Sequence, residues 1–133
     1  MRMLLAYLLF AHGVAYGQTF ACQYLESAGL GWESGQWQLR KAPIRQPFFL
    51  TVESGDLNPD SVAKLLRSHP KDIRCERHPV FGLFSCHNQL ASFVFFNPKE
   101  SQGGVSEIRG SGLPPASRGS HPMTVAPFTC QQM

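Results

Sequence analysis

The stretch Ala91-Ser92-Phe93-Val94-Phe95-Phe96, closed by Asn97-Pro98, holds three phenylalanines in its last four positions and no charge. Aromatic and β-branched side chains suit a pleated surface. A run this short is strand length rather than helix length, and the proline bars its continuation. The segment reads as a strand. Because both of its faces are apolar, it is predicted to be a central strand covered on both sides.

Outward from this segment the same kind of pattern recurs. Phe20-Ala21-Cys22-Gln23-Tyr24-Leu25 puts Phe20, Cys22 and Tyr24 on one face. Trp32-Glu33-Ser34-Gly35-Gln36-Trp37 places a Ser-Gly pair where a tight turn between strands would sit, since glycine accepts positive φ. Pro47 to Glu53 reads as a strand ending at Ser54-Gly55-Asp56. Asp72 to Glu76 and Val80 to Cys86 flank a His78-Pro79 break, and Val105 to Arg109 and Met123 to Gln131 complete the set. One segment reads as helix. Asn58 can cap it, Pro59 suits the first helical position, and Asp60 suits the positive end of the dipole. Val62, Leu65, Leu66 and His69 share a face at helical spacing, and Pro70 stops the run. The expected fold class is mainly β: a small antiparallel β-barrel, or a sandwich, of about seven to eight strands with one short α-helix at about 59–69. Residues 111–122 are rich in Gly, Ser and Pro and are expected to form an exposed, mobile loop.

The N-terminus runs from Arg2 into the apolar Leu4-Leu5-Ala6-Tyr7-Leu8-Leu9-Phe10, with small Ala15 and Gly17 beyond it. This is the pattern of a cleavable secretory signal, so 1–17 is expected to be a signal peptide and 18–133 a single mainly-β domain. The apolar run falls short of the about 20 residues that span a bilayer, and no later segment reaches that length, so no transmembrane segment is expected. The chain carries 12 Lys+Arg against 9 Asp+Glu. That mild excess gives no basic stripe for nucleic acid, and export argues further against it.

Cys22, Cys75, Cys86 and Cys130 all follow the expected cut. An even number in a small exported chain argues for two disulfides. Cys75–Cys86 would close a short hairpin, and Cys22–Cys130 would tie the first strand to the last; the crossed pairings stay open. Metal is the competing reading, because His78 and His87 stand beside Cys75 and Cys86. Zinc needs thiolates, and an oxidising compartment favours pairing, so no metal and no cofactor are expected.

The remaining constellations give no catalytic set. No serine sits in a nucleophile-elbow sequence, and Glu33, Glu53, Asp56 and Glu107 show no spacing that pairs them. Arg67, Lys71, Arg74 and Arg77, with His78, form the densest polar run and are the candidate partner surface. Gly35-Gln36-Trp37 resembles the Gly-x-Trp near the first strand of lipocalins, which makes Trp32 and Trp37 candidates for a barrel end or a ligand cavity.

Residues 29–37, Phe95-Phe96-Asn97-Pro98 with Gly103-Gly104, and the ending Val125 to Met133 resemble those of an uncharacterised family of small exported proteins of Gram-negative bacteria. The resemblance implies a periplasmic or secreted location and supports the disulfides; it implies no activity. The function expected is a non-catalytic exported module that recognises a protein partner, as inhibitors and immunity proteins do. A lipocalin-like carrier of a small apolar ligand is the alternative, and an envelope enzyme without a recognisable motif the third.

Overall fold

Alternating inward and outward side chains build this molecule around a single inner face. The structure, a computed structural model, describes residues 17–41, 45–119 and 122–133. The expected signal peptide, apart from Gly17, lies outside the described residues. Among them ten strands form one antiparallel sheet: β1 (Gln18–Tyr24), β2 (Ala28–Glu33), β3 (Gln36–Lys41), β4 (Phe48–Glu53), β5 (Asp56–Leu57), β6 (Arg74–Arg77), β7 (Phe84–His87), β8 (Ser92–Asn97), β9 (Gln102–Glu107) and β10 (Met123–Gln132). Two helices accompany them, α1 (Pro59–Leu66) and α2 (Pro115–Arg118).

The strands run in the order β5-β4-β1-β10-β9-β8-β7-β6, with β2 also paired to β10 and β3 to β2. The end strands β5 and β6 come into contact, so the sheet is a nearly closed barrel. α1 joins them in the chain and packs against both β4 and β8. Those two strands are separated by β1, β10 and β9, so the helix caps the barrel from wall to wall. Val62, Ala63 and Leu66 are its buried face. Each fully buried Val or Leu contributes about 1.5–3 kcal/mol.

The barrel interior is filled. Phe20 packs edge-on to Phe96 with ring centroids 5.0 Å apart, and Phe96 lies 6.2 Å from Phe128. Leu50, Leu57, Val94 and Val105 complete this core, each essentially without solvent exposure. Both disulfides link residues directly opposite each other in a ladder. Cys22–Cys130 joins β1 to β10, and Cys75–Cys86 joins β6 to β7, as expected.

Several expectations need correction. β8 is paired on both edges but is not covered on both faces: Val94 and Phe96 point inward, while Phe95 points out and is 43% exposed. A barrel has one interior, so an apolar outer face stays wet. The helix ends at Leu66. Arg67 adopts the left-handed conformation, and its N–H bonds back to the carbonyls of Ala63 and Lys64. Pro70 holds His69 in extended backbone. His69 therefore leaves the helix face and caps a 3-10 turn over Pro70–Asp72, its Nδ1 accepting from the Lys71 N–H. Val80 and Phe81 belong to the exposed loop between β6 and β7. The stretch 111–122 includes the short α2 and a 3-10 turn; residues 120 and 121 lie outside the described residues.

The extra strands come from a bend. Tyr24 faces Phe128 and Ala28 faces Val125, so three residues stand opposite two between those pairs. This bulge divides one long strand into β1 and β2 and turns β2 aside. The β2–β3 hairpin then turns at Ser34-Gly35, where both residues have positive φ (49° and 80°), as a two-residue type I′ loop requires.

Candidate functional site

Two places combine exposed or half-buried side chains in a way that can bind something: the mouth of the barrel and the outer face of the β2–β3 hairpin.

The mouth lies where β1 and β9 end and where β4 and β10 begin. Inward-facing positions reach solvent there, so polar groups can point in without full burial. Tyr24 ends β1, Glu107 ends β9, and Thr124 is the second residue of β10. Arg45 enters just before β4. Its Nη2 donates to Glu107 Oε2 at 2.8 Å and to Thr124 Oγ1 at 3.0 Å. Thr124 Oγ1 donates in turn to Glu107 Oε2 at 3.2 Å. The Arg45 guanidinium also sits 5.7 Å from the centre of the Tyr24 ring.

The electrostatics follow from this packing. Burial works against the charge on Arg45, but the bond and charge of Glu107 outweigh it, and its pKa is raised. Burial raises the Tyr24 pKa above its ordinary 10.0, with Arg45 pulling the other way. Tyr24 packs against Phe48 at 4.9 Å, giving an aromatic wall. Lys64, Leu65 and Arg67 bring the C-terminal end of α1 to the same cleft, whose volume is about 480 Å³. A second cleft of about 490 Å³ continues along α1 and shares Pro47, Phe48, Lys64 and Leu65 with the first.

The hairpin face has a different chemistry. Ladder register puts Leu30 opposite both Leu39 and Met123, and Ala28 opposite Val125. With Ile108 these residues line an almost wholly apolar cleft of about 350 Å³ on the outside of the sheet. Leu39 is 78% exposed and Val125 56%. The other face of the hairpin is polar, with Arg40 paired to Glu33.

The sequence candidates fall into these places unevenly. Trp32 and Trp37 do not close the barrel and are not part of the core. They pair across the hairpin near its turn, ring centroids 5.2 Å apart and edge-on. Arg118 of α2 lies over Trp32 at 4.4 Å. The bulge after β1 explains this: it sends the Gly-x-Trp segment away from the barrel wall. The basic run does not form one surface. Arg67 reaches the mouth. Lys71 sits in the 3-10 turn. Arg74 and Arg77, three apart on β6, point to opposite faces. Arg74 donates to the carbonyls of Lys71 and Ile73, Arg77 lies 5.8 Å from the centre of the Phe84 ring, and His78 stacks on Phe81. Cys75 and Cys86 are bonded to each other, so neither is a thiolate.

Tyr24, Arg45, Glu107 and Thr124 were not singled out together by the sequence. They are separated by up to 100 positions, and nothing local marks Arg45 as the partner of Glu107. The sequence did not single out the apolar stripe, because bringing Leu30, Leu39 and Met123 together depends on register. Compared with protein-family models, curated proteins and solved structures, the chain matches none of them.

Proposed function

We propose that this chain is an exported, non-catalytic binding module that recognises a protein partner through its β2–β3 hairpin. One observation carries the reading. β3 pairs only with β2 among the described strands, so its other edge offers unpaired backbone groups beside an exposed apolar stripe. An extended segment of a partner can add to such an edge, with main-chain hydrogen bonds supplying affinity and alternate side chains supplying selectivity. Leu39 and Lys41 share one face of β3, both exposed. The partner strand that fits has apolar residues in alternation and an acidic one near Lys41.

Export belongs to the same proposal. It is supported by the two disulfides, which persist in oxidising compartments, and by the apolar N-terminal run followed by small residues. Among the described residues no helix is long and apolar enough to cross a membrane. A lipocalin-like carrier is less well supported, because Phe20, Phe96 and Phe128 occupy the space a ligand would need.

The test is a photo-crosslinking residue at Gln38, on the free edge of β3. It should capture one discrete protein from the envelope or medium of the producing cell, and Leu39→Asp should abolish that capture. Because Leu39 is exposed, this substitution should change stability by no more than about 0.5 kcal/mol. Equal capture by Leu39→Asp, or none by either protein, overturns the reading.

A further inference from the structure

We infer that the mouth of the barrel is a binding site for a small anionic amphiphile: a carboxylate or phosphate monoester carried on a flat or branched apolar body. This inference is independent of the hairpin reading, since the side chains that would meet the ligand (Lys64, Arg67, Phe48 and Leu65) do not line the hairpin cleft.

Three cations border the cleft, and one carboxylate. Arg45 is held by Glu107, but among the described residues Lys64 and Arg67 form no ion pair. Asp60 stands one turn before Lys64 and does not pair with it. The negative end of α1 accounts for a cation in its last turn. It does not account for Arg45, which comes from a different segment and converges on the same space.

Between these charges the cleft carries apolar patches beside the polar Gln46. Tyr24 and Phe48 present rings, and Leu65 and Pro47 complete the surface. A site of about 480 Å³ falls in the size range of small-molecule sites, which combine apolar walls with a few placed polar groups. The Arg45–Glu107–Thr124 network fixes the guanidinium before any ligand arrives, so Arg45 itself loses little side-chain freedom on binding. Lys64 and Arg67, on the rim, would meet the anion, and the body would lie against Phe48 and Leu65. A neutral ligand of the same shape would leave both rim cations unanswered.

The experiment is calorimetric titration of the protein with phenylbutyrate, phenyl phosphate, inorganic phosphate and the neutral phenylbutanol. At least one of the two aromatic anions should bind, and the stronger one identifies the head group. Phenylbutanol and inorganic phosphate should each bind at least about ten-fold more weakly than that anion. The doubly substituted Lys64→Gln/Arg67→Gln protein should lose about ten-fold in affinity for it. Both substitutions are at exposed positions, and an unchanged thermal midpoint shows that the fold is intact. Leu65→Gln is the second variant and should weaken the aromatic anions by replacing the apolar wall with a neutral polar group. Binding of phenylbutanol as tight as that of the anions, no binding of either aromatic anion, or full affinity in the double variant overturns the inference.

Discussion

Tyr24 shows how much one half-buried side chain reports. It is the only tyrosine in residues 18–133. Burial raises its pKa above 10.0, so the folded chain holds the phenol proton more tightly than the unfolded chain. The resulting stability is fully present below about pH 10 and is lost as pH rises through the folded pKa. Phenolate absorbance of the chain from Gln18 onward should titrate with a midpoint above 10.0 and return to the ordinary value in denaturant. The denaturation midpoint of the native protein should fall more steeply above that pH than that of Tyr24→Phe. Gly103 is a second such residue, for a steric reason. A Cβ there would lie 2.3 Å from both the Phe95 carbonyl oxygen and a Phe128 ring carbon. Gly103→Ala should destabilise the protein by about 1–3 kcal/mol or more, read from urea unfolding. The sequence marks Gly103 only as half of a Gly-Gly pair; its need for a missing side chain depends on the Phe128 ring across the sheet.

At the scale of elements, α1 was readable because its signals are local. Asn58 Oδ1 accepts from the N–H groups of Asp60 and Ser61, and its Nδ2 donates to Glu53. Asn58→Ala should lower unfolding stability by about 1 kcal/mol, with Asn58→Asp recovering part of it as a competent cap. The far end of the helix was misread by sequence pattern, since His69 keeps helical spacing although Pro70 removes it from the helix. The hairpin gives the opposite lesson. Its Ser34-Gly35 turn was legible, but its position was not, and the tryptophans moved from an expected barrel end or ligand cavity to the face of a protruding hairpin. Their energetic weight should follow that position. Trp37→Ala should cost about 0.5–1.5 kcal/mol through loss of the ring pair, whereas Phe96→Ala should cost about 3–5 kcal/mol. Denaturant midpoints of the two variants provide the comparison.

For the whole molecule, the two disulfides differ in what they restrain. Cys22–Cys130 closes a separation of 108 residues and Cys75–Cys86 one of 11. The chain-entropy relation gives about 5 kcal/mol for the first and about 3 kcal/mol for the second. The Cys22→Ala/Cys130→Ala protein should therefore unfold at lower denaturant than Cys75→Ala/Cys86→Ala. The reverse order would mean that the ladder between β1 and β10 already holds that seam without the bond.

The sequence by itself determined what depends on neighbouring residues. It marked the apolar runs that become strands, the cap and start of α1, the turn at Ser34-Gly35 and the oxidising chemistry implied by an even set of cysteines. Those features arise from φ preferences, side-chain periodicity and local hydrogen bonds, all set within a few positions. The tertiary structure decided the rest. Phe93-Val94-Phe95-Phe96 could not reveal that only one of its apolar faces is covered, because closure of the sheet determines which face becomes interior. Arg45, Tyr24, Glu107 and Thr124 meet only after four strand ends converge on one mouth. Leu30, Leu39 and Met123 form a stripe only in one register, and a slip of one residue would turn each of them to the other face.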